Sequence, residues 1–180
     1  MSIASSHNIN SLQYIDTKSI NSDHRYILGK INQQTINATF RIDYNMTPEL
    51  SIQYYGSPFA TVGKYSNFKS VTNPKAADYN NRFSILSPAL KGSNYEISEN
   101  IIGQVDYSFG NPDFNFSQLR SNLVIRWEYR PGSQIYFVWS QDRTNYIMPG
   151  NSSVASAVND LGKVYPNNIF LVKINYWFSI

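Results

Sequence analysis

The chain has 180 residues, enough for one domain with a substantial core, and carries 15 basic against 12 acidic residues. A net charge of +3 that is scattered along the sequence gives no basic patch, so we expect no nucleic-acid partner. The absence of cysteine excludes disulfides, thiolate metal sites and thiol nucleophiles. Aromatic residues make up 15% of the chain and strong helix formers are sparse, a composition that favours β-strands.

The N-terminal region is polar and weakly patterned, and we assign residues 1–22 to a separate N-terminal segment. Residues 23–180 are predicted to form a single β domain. The N-terminus has neither a basic start nor an apolar segment, so it does not read as a secretory signal. A membrane destination therefore requires an export signal upstream in a longer protein.

The clearest internal pattern lies in residues 36–46, where apolar and polar side chains alternate with a period of two. The alternation resumes over 50–54 after Thr47-Pro48-Glu49, which predicts a hairpin with a three-residue turn. A slip of one residue would place polar against apolar side chains along the whole ladder. The predicted register therefore pairs Ile42 with Tyr54 and Tyr44 with Ile52.

A second hairpin is predicted around Pro131-Gly132-Ser133, between alternating segments at 123–129 and 134–139. A two-residue turn would pair Arg126 with Phe137, whereas a three-residue loop pairs Trp127 with Phe137. The three-residue loop is preferred because it keeps apolar residues opposite one another.

Weaker strand patterns occur at 24–31, 82–90 and 101–109, and Pro88 restricts the middle one to an edge or an end. The stretches 63–81 and 146–167 are rich in Asn, Ser, Gly and Pro and are predicted to be loops, apart from a helical turn near 154–161.

The last residues, 170–180, alternate between an apolar, aromatic face and a polar one. About 9–11 residues of tilted strand are enough to cross a bilayer, and an aromatic-rich final strand is typical of outer-membrane barrels. A half-buried strand of a soluble sandwich alternates in the same way. If residues 168–180 run inward, the short turns at 47–49 and 131–133 lie at the same end of the sheet as Ile180, and the long stretch 146–167 lies outside.

The shared alternation divides the candidate site residues into two sets. Charged residues on the polar side are predicted to face the lumen and to form cross-strand ion pairs: Arg41, Asp43, Arg126, Glu128, Arg130 and Lys173. Apolar residues on the other side are predicted to face lipid: Phe40, Ile42, Tyr44, Ile125, Trp127, Phe137, Ile174, Tyr176 and Phe178.

Residues with catalytic chemistry lack the spacing that catalysis or metal binding needs. His7 and His24 have no other ligand at metal spacing, Glu96 and Glu99 lie in a polar connecting segment, and the acidic residues near Asp113 match no calcium loop. We therefore predict no enzymatic activity, no cofactor and no metal.

Several segments resemble one known family: residues 40–44 (FRIDY) with 47–48 (TP) and 50–53 (LSIQ), 63–69 (GKYSNFK), 111–116 (NPDFNF), 120–133 (RSNLVIRWEYRPGS) and 138–141 (VWSQ). The WEYRPGS hairpin at 127–133 is the most specific of these motifs. They are similar to the C-terminal domain, of unknown function, in large Bacteroidetes cell-envelope proteins. Members of that family carry an N-terminal module similar to family-nine carbohydrate-binding domains, followed by a β-rich region that looks like an outer-membrane barrel. The resemblance covers residues 24–180 and implies a location and an architecture without supplying an active site.

These observations lead to one expected fold and two functional hypotheses. The expected fold is all-β, an antiparallel meander of about seven to nine strands that forms the C-terminal part of an outer-membrane β-barrel. The first hypothesis is a non-enzymatic barrel segment that anchors or binds at the cell surface. Its partners would be outer-membrane lipid, polysaccharide, or an upstream portion of the same barrel. The alternative is a soluble β-sandwich or carbohydrate-binding module in which Trp127, Trp139 or Trp177 stacks on sugar rings.

Overall fold

The computed structural model describes residues 1–20, 23–99 and 104–178, and this part of the chain contains ten β-strands, one α-helix and one short 3-10 helix. In chain order the elements are β1 (Ser2–Ile20), β2 (Asp23–Asn45), β3 (Leu50–Val71), the 3-10 helix (Tyr79–Arg82), β4 (Phe83–Ile85), β5 (Ala89–Lys91), β6 (Asn94–Ile97), β7 (Tyr107–Gly110), β8 (Phe114–Arg130), β9 (Ser133–Ile147), α1 (Val154–Lys163) and β10 (Asn167–Asn175).

The main sheet has seven strands and is antiparallel throughout, in the order β1-β2-β3-β8-β9-β10, with β4 paired to the end of β3. The predicted all-β antiparallel class is confirmed, and this sheet has a strand number within the predicted range. β2 and β3 have 23 and 22 residues, so each extends roughly 75 Å at about 3.3 Å per residue. In the described part of the chain, no helix is both long enough and apolar enough to cross a membrane.

A small second sheet, β5-β6-β7, covers the main sheet at the end far from the two short turns. The buried cluster between them consists of Ile27, Phe68, Leu86, Ile97, Tyr107 and Phe109. Phe68 packs over Gly29. Gly29 and Arg41 are separated by an even number of positions along β2, so their side chains lie on the same face of the sheet. The small sheet therefore lies on the face of the main sheet that carries Arg41.

Helix α1 covers the opposite face of the main sheet. Ala157 is buried against Ala60 and Val62 of β3, and the hydroxyl of Ser117 donates to the Ala157 carbonyl at 2.9 Å. Ala60 has the same parity on β3 as Ile52, so α1 and the small sheet lie on different faces. Both additions are at the same end of the long strands, and the turn end of the sheet is left without a covering layer.

The first predicted hairpin is confirmed in both strands and register. Ile42 pairs with Tyr54 and Tyr44 with Ile52, as the alternation requires. The Met46 amide donates to the Leu50 carbonyl at 2.9 Å, which closes the turn at residues 47–49.

The register predicted for the second hairpin is wrong by two residues. Trp127 pairs with Ile135 and Ile125 with Phe137, because Pro131-Gly132 forms a two-residue turn and Tyr129 is an extra residue in β8. Gly132 has φ of +76°, the value that a type II turn needs after proline. The tighter turn and the bulge each shift the ladder by one residue, so apolar residues still face apolar ones.

Several strand boundaries also differ from prediction. No strand is predicted in 1–22, but β1 pairs with β2 along most of its length. The predicted strands at 24–31 and 36–46 are one strand, β2, and β3 continues through 63–71, which is predicted to be loop. The weak pattern at 82–90 becomes β4 and β5 on either side of Pro88. The pattern at 101–109 contains β7, although residues 101–103 lie outside the described residues. The stretch 146–167 contains the full helix α1.

Gly56 and Pro58 explain why β3 is hard to recognise in sequence. The Phe40 ring packs over Gly56 so closely that a Cβ there would lie 2.4 Å from Phe40 Cε2. Pro58 has no N–H to donate, and the β2–β3 pairing is interrupted between Asn37–Phe59 and Phe40–Gly56. Both residues interrupt the alternation of apolar and polar side chains. β3 nevertheless continues through them, because β8 pairs with it without interruption.

Candidate functional site

The turn end of the main sheet carries continuous rows of apolar side chains across five strands. One row runs Ile42, Tyr54, Leu123, Trp139 and Phe170, each residue directly opposite the next. Directly opposite residues share a face of an antiparallel sheet. The flanking rows are Tyr44, Ile52, Ile125, Phe137, Val172 and Leu50, Trp127, Ile135, Ile174. We call these three rows, with Phe40, the aromatic face.

The aromatic face is uncovered. Ile42 is 55% exposed, Trp127 49% and Ile174 65%, and no residue of the three rows is among the buried core. The rings contact one another within the plane of the sheet, as in the stacked pair Trp139 and Phe170, whose planes differ by 9°. A face this wide is the feature that any function of the chain must explain.

Seven of the nine residues predicted to face lipid lie on the aromatic face: Phe40, Ile42, Tyr44, Ile125, Trp127, Phe137 and Ile174. The other two, Tyr176 and Phe178, follow the end of β10 and stack on each other at a centroid distance of 6.3 Å. Seven of the nine residues are therefore brought together on one face, while Tyr176 and Phe178 contact each other beyond the end of β10. Ser179 and Ile180 lie outside the described residues.

The opposite surface at the turn end, which we call the polar face, carries five of the six predicted charged residues: Arg41, Asp43, Arg126, Glu128 and Lys173. Tyrosines lie among them. The Arg41 guanidinium is 5.8 Å from the Tyr55 ring centroid, and Lys173 Nζ is 5.8 Å from that of Tyr136. Each of these two cations thus rests on an aromatic neighbour of the next strand.

Arg130 does not share the face of Glu128, contrary to its predicted place. Arg130 pairs with Ser133, and Glu128 pairs with Gln134, on the two sides of the bulge at Tyr129. Ser133 and Gln134 are consecutive in β9, so their side chains lie on opposite faces of the sheet. The bulge reverses the parity of β8 at its last residue. Arg130 consequently lies on the side of Tyr176, whose hydroxyl accepts a hydrogen bond from Nη1 at 3.1 Å.

The predicted ion pairs among these charges are wrong. Among the described residues, no ion pair within 4.0 Å involves Arg41, Asp43, Arg126, Glu128 or Arg130. Their direct cross-strand neighbours are neutral: Asp43 faces Gln53, and Arg126 lies between Ser51 and Tyr136. Glu128 instead accepts hydrogen bonds from the Gly132 amide and from Gln134.

The polar face also contains residues that the sequence analysis did not single out. Arg120 and Asp142 are directly opposite each other and form an ion pair at 3.5 Å. Val124, Val138 and Leu171 continue the row of Asp43 and Gln53, so that row is apolar on β8, β9 and β10. The sequence predicts that Arg120 and Asp142 form an ion pair only once the β8–β9 register is known.

Asp113 forms a tight structural junction at the far end of the sheet. Its Oδ1 accepts from the Tyr65 amide at 2.7 Å and its carbonyl from the Gly150 amide at 2.8 Å, so it joins β3 to the segment before α1. Burial raises the pKa of the Asp113 carboxyl, opposed by the Tyr65 hydrogen bond. Neighbouring Asn115 bonds Asn151 instead of completing a ligand set.

Three of the remaining candidate residues have structural partners, and the fourth, His7, lies opposite Gln34 in the exposed half of β1. Glu99 accepts from the Tyr107 hydroxyl at 2.6 Å and pairs with Arg25 at 3.4 Å, while Glu96 pairs with Lys91. His24 contacts the Ser19 hydroxyl at 3.0 Å. In the described ranges, no group of three or more His, Asp or Glu side chains has the geometry of a metal site.

Comparison with known proteins gives one match. The model of a family described as a domain of unknown function, DUF5916, matches residues 1–180. No curated protein and no solved structure is significantly similar to the chain.

Proposed function

Because the chain belongs to the DUF5916 family, whose function is unknown, we propose its role from the surface itself: a segment of an outer-membrane β-barrel in a cell-envelope protein. In this role the aromatic face contacts lipid and the polar face lines the lumen. The observation that carries the proposal is the uncovered aromatic face, which continues across five strands.

An apolar face of this width is costly to expose to water. Soluble monomers rarely expose a contiguous apolar patch beyond a few hundred Å². Burial of apolar surface is worth about 25 cal/mol per Å², so exposure to water of rows that include Ile42, Trp127 and Phe170 is costly. Contact with hydrocarbon removes that cost, while the alternate residues keep Arg41 and Arg126 on the wet side.

The two sheet edges define what else the barrel requires. β1 and β10 each pair with a single neighbour in the described part of the chain, and unpaired backbone groups cannot be satisfied in lipid. The barrel is therefore completed by further strands, which an upstream portion of the same protein would supply. The family resemblance supports this arrangement, since it implies large Bacteroidetes envelope proteins with a carbohydrate-binding module and polysaccharide as an external partner.

The proposed role is anchoring or surface binding, without catalysis. Glu128, the carboxylate of the most specific family motif, is occupied by hydrogen bonds from the hairpin turn. Assays of the purified chain on glycan substrates should show no turnover, in the wild type or in Glu128→Gln. Hydrolysis that is lost in Glu128→Gln would contradict this part of the proposal.

A matched pair of substitutions on adjacent residues tests the lipid assignment. Ile125 lies on the aromatic face and Val124 on the polar face, at the same height in β8. Lysine on a lipid face near the membrane centre costs about 2–4 kcal/mol, whereas lysine in a lumen costs much less. In flotation with phosphatidylcholine vesicles, Ile125→Lys should reduce the bound fraction and Val124→Lys should leave it near that of the wild type. Equal effects, or no vesicle binding by the wild type, would contradict the proposal.

A second candidate function, carbohydrate binding, has one specific observation in its favour. The rings of Trp139 and Phe170 have nearly parallel planes, with centroids 6.1 Å apart, and Phe170 is 63% exposed. Exposed, mutually ordered aromatic rings can stack on sugar rings. Binding of soluble oligosaccharides that disappears in Trp139→Ala, in a chain that ignores vesicles, would favour this function over the membrane role.

A further inference from the structure

We infer that helix α1 and Tyr165 lie in the lipid headgroup layer on the loop side of the membrane, and so mark the outer limit of the lipid-contacting band. The inference rests on the proposed membrane role and goes beyond it, because it assigns a depth to named residues. Four features of the structure support it: the position of α1, the chemistry of its outward side, the height of the lipid-contacting band, and the aromatic residues at the two limits of that band.

The position of α1 is fixed by its contacts with the main sheet. It packs on the same face as the aromatic rows, through Ala157 against Ala60 and Val62. Arg143 of β9 donates to the carbonyl of Gly162 at 3.3 Å, near the C-terminal end of the helix, where a cation is electrostatically favoured. The helix thus lies directly beyond the aromatic rows, on the surface that would face outward.

The outward side of α1 mixes small, polar and charged side chains. Ala155, Asn159 and Lys163 are exposed, and Lys163 pairs with Asp160 at 2.7 Å. Val158 is a larger apolar residue on this side, at 55% exposure. The charged pair and the amide are costly in hydrocarbon, whereas Val158 gains from contact with apolar tails. A surface of this mixed kind suits the headgroup layer, where a helix can lie parallel to the membrane.

The height of the lipid-contacting band can be counted in residues along two strands, and both counts give the same value. Ten residues separate Tyr165 from Tyr176, a stretch that contains all of β10, and ten separate Gly132 from Arg143, the first charged residue of this face on β9. A tilted transmembrane strand needs about 9–11 residues. Both strands therefore give a span that matches the hydrocarbon thickness and ends at the level of α1.

Aromatic residues lie at both limits of this span. Tyr165, between α1 and β10, is 95% exposed. At the turn end Trp127 packs edge-on against Tyr129, and Arg130 lies over the ring of Tyr176. Tyr and Trp are enriched at both membrane interfaces, where their rings reach apolar tails and their polar atoms reach water. Tyr165 then belongs to the outer girdle and Trp127 to the inner one.

Depth-dependent fluorescence quenching tests the inference in the full chain. In a background in which Trp127, Trp139 and Trp177 are changed to Phe, single tryptophans are placed by Tyr165→Trp, Val158→Trp and Phe170→Trp, the last near the middle of the band, with Tyr79→Trp as a control on the exposed 3-10 helix. Each variant is reconstituted in phosphatidylcholine vesicles whose acyl chains carry bromine either near the headgroup or near the chain end. Circular dichroism identifies any variant that has lost the β fold.

The expected result is stronger quenching of Tyr165→Trp and Val158→Trp by the shallow bromines, stronger quenching of Phe170→Trp by the deep ones, and none for Tyr79→Trp. Quenching of Phe170→Trp with none at positions 158 and 165, or deep quenching at all three, would overturn the inference and leave the membrane role intact. Absence of quenching at Phe170→Trp would instead refute the membrane role. If the background does not fold, the wild type and Tyr165→Phe or Tyr165→Ala are compared by vesicle partitioning. Weaker binding of the alanine variant alone is then expected, and equal binding of all three would overturn the inference.

Discussion

Arg130 lies over the ring of Tyr176, with its guanidinium carbon 5.5 Å from the ring centroid and Nη1 bonded to the hydroxyl. The contact joins the β8–β9 hairpin to the segment that follows β10, and it exists because the bulge at Tyr129 turns Arg130 to that side. Tyr176 and Trp177 are thereby held against the turn, and the Trp177 amide adds a hydrogen bond to the Ser133 hydroxyl at 3.0 Å.

A double-mutant cycle on this pair should give a measurable coupling. Arg130→Ala and Tyr176→Ala each remove the cation–π contact, which is worth about 0.5–1 kcal/mol at an exposed site. Urea unfolding in detergent micelles should show that the double variant is less destabilised than the sum of the single ones by about that amount. Additive effects would mean that the contact contributes nothing to stability.

Gly132 and Gly92 form a matched pair for a test of the second turn. Both have positive φ, +76° and +61°, so alanine is strained at either position by about 1–2 kcal/mol. A Cβ at Gly132 would also lie 3.1 Å from Trp177 Cβ, whereas a Cβ at Gly92 meets nothing within 4 Å. Gly132→Ala should therefore lower the free energy of unfolding more than Gly92→Ala does, and the reverse order would contradict the turn geometry.

Asp113 should make stability fall as pH rises. Burial raises the pKa of its carboxyl, so the folded state binds the proton more tightly than the unfolded chain does. The free energy of unfolding should accordingly decrease as pH rises from the ordinary Asp value of about 3.9 through the raised folded value. Asp113→Asn keeps an oxygen for the Tyr65 amide but carries no charge, so this decrease should be absent.

Asp78→Asn provides the control for that measurement. Asp78 caps the exposed 3-10 helix by accepting from the Asn80 amide at 2.9 Å, and asparagine caps equally well. Because Asp113 is intact in this variant, the decrease that depends on Asp113 should remain when unfolding is followed against pH. An unchanged profile in Asp113→Asn as well would show that burial of Asp113 is not the cause.

The docking of α1 should depend on the small side chain at Ala157. Ala157 is 1% exposed against β3, and overpacking a filled core typically costs about 1–3 kcal/mol. Ala157→Leu should accelerate hydrogen exchange of the α1 amides, whereas Val158→Leu, on the outward side, should leave them protected. Protection that is equal in the two variants would show that α1 does not depend on this contact.

The division into two faces could be predicted because a period-two pattern is a local property of the sequence. Residues 36–46 and 123–129 show it directly, and the first hairpin has the predicted register because its turn contains no irregularity. In the second hairpin each side chain lies on the predicted face, but the residues that lie opposite one another differ from the prediction. The bulge at Tyr129 combines with a shorter turn to shift the ladder by two residues, and a shift of two preserves parity.

Whether two charged side chains form an ion pair depends on which residues lie directly opposite each other, and not only on which face they share. The predicted pairs among Arg41, Asp43 and Arg126 are wrong because their direct neighbours are Tyr55, Gln53 and Tyr136, whereas Arg120 meets Asp142. β1 could not be recognised because its first half is exposed on both faces and has no apolar periodicity to read. The far half of β3 carries loop signals at Gly63 and at Asn67, whose φ is +51°, although pairing with β2 and the small sheet sets its conformation.

The most direct test of the membrane role uses the absence of native cysteine. Single cysteines at Ile125 and Ile174 on the aromatic face, and at Val124 and Lys173 on the polar face, are introduced into the full chain in phosphatidylcholine vesicles and treated with a water-soluble maleimide. Labelling at Val124→Cys and Lys173→Cys, with protection of Ile125→Cys and Ile174→Cys until the vesicles are dissolved in urea, is the predicted result. Equal labelling of all four positions in intact vesicles would contradict a lipid-facing aromatic surface.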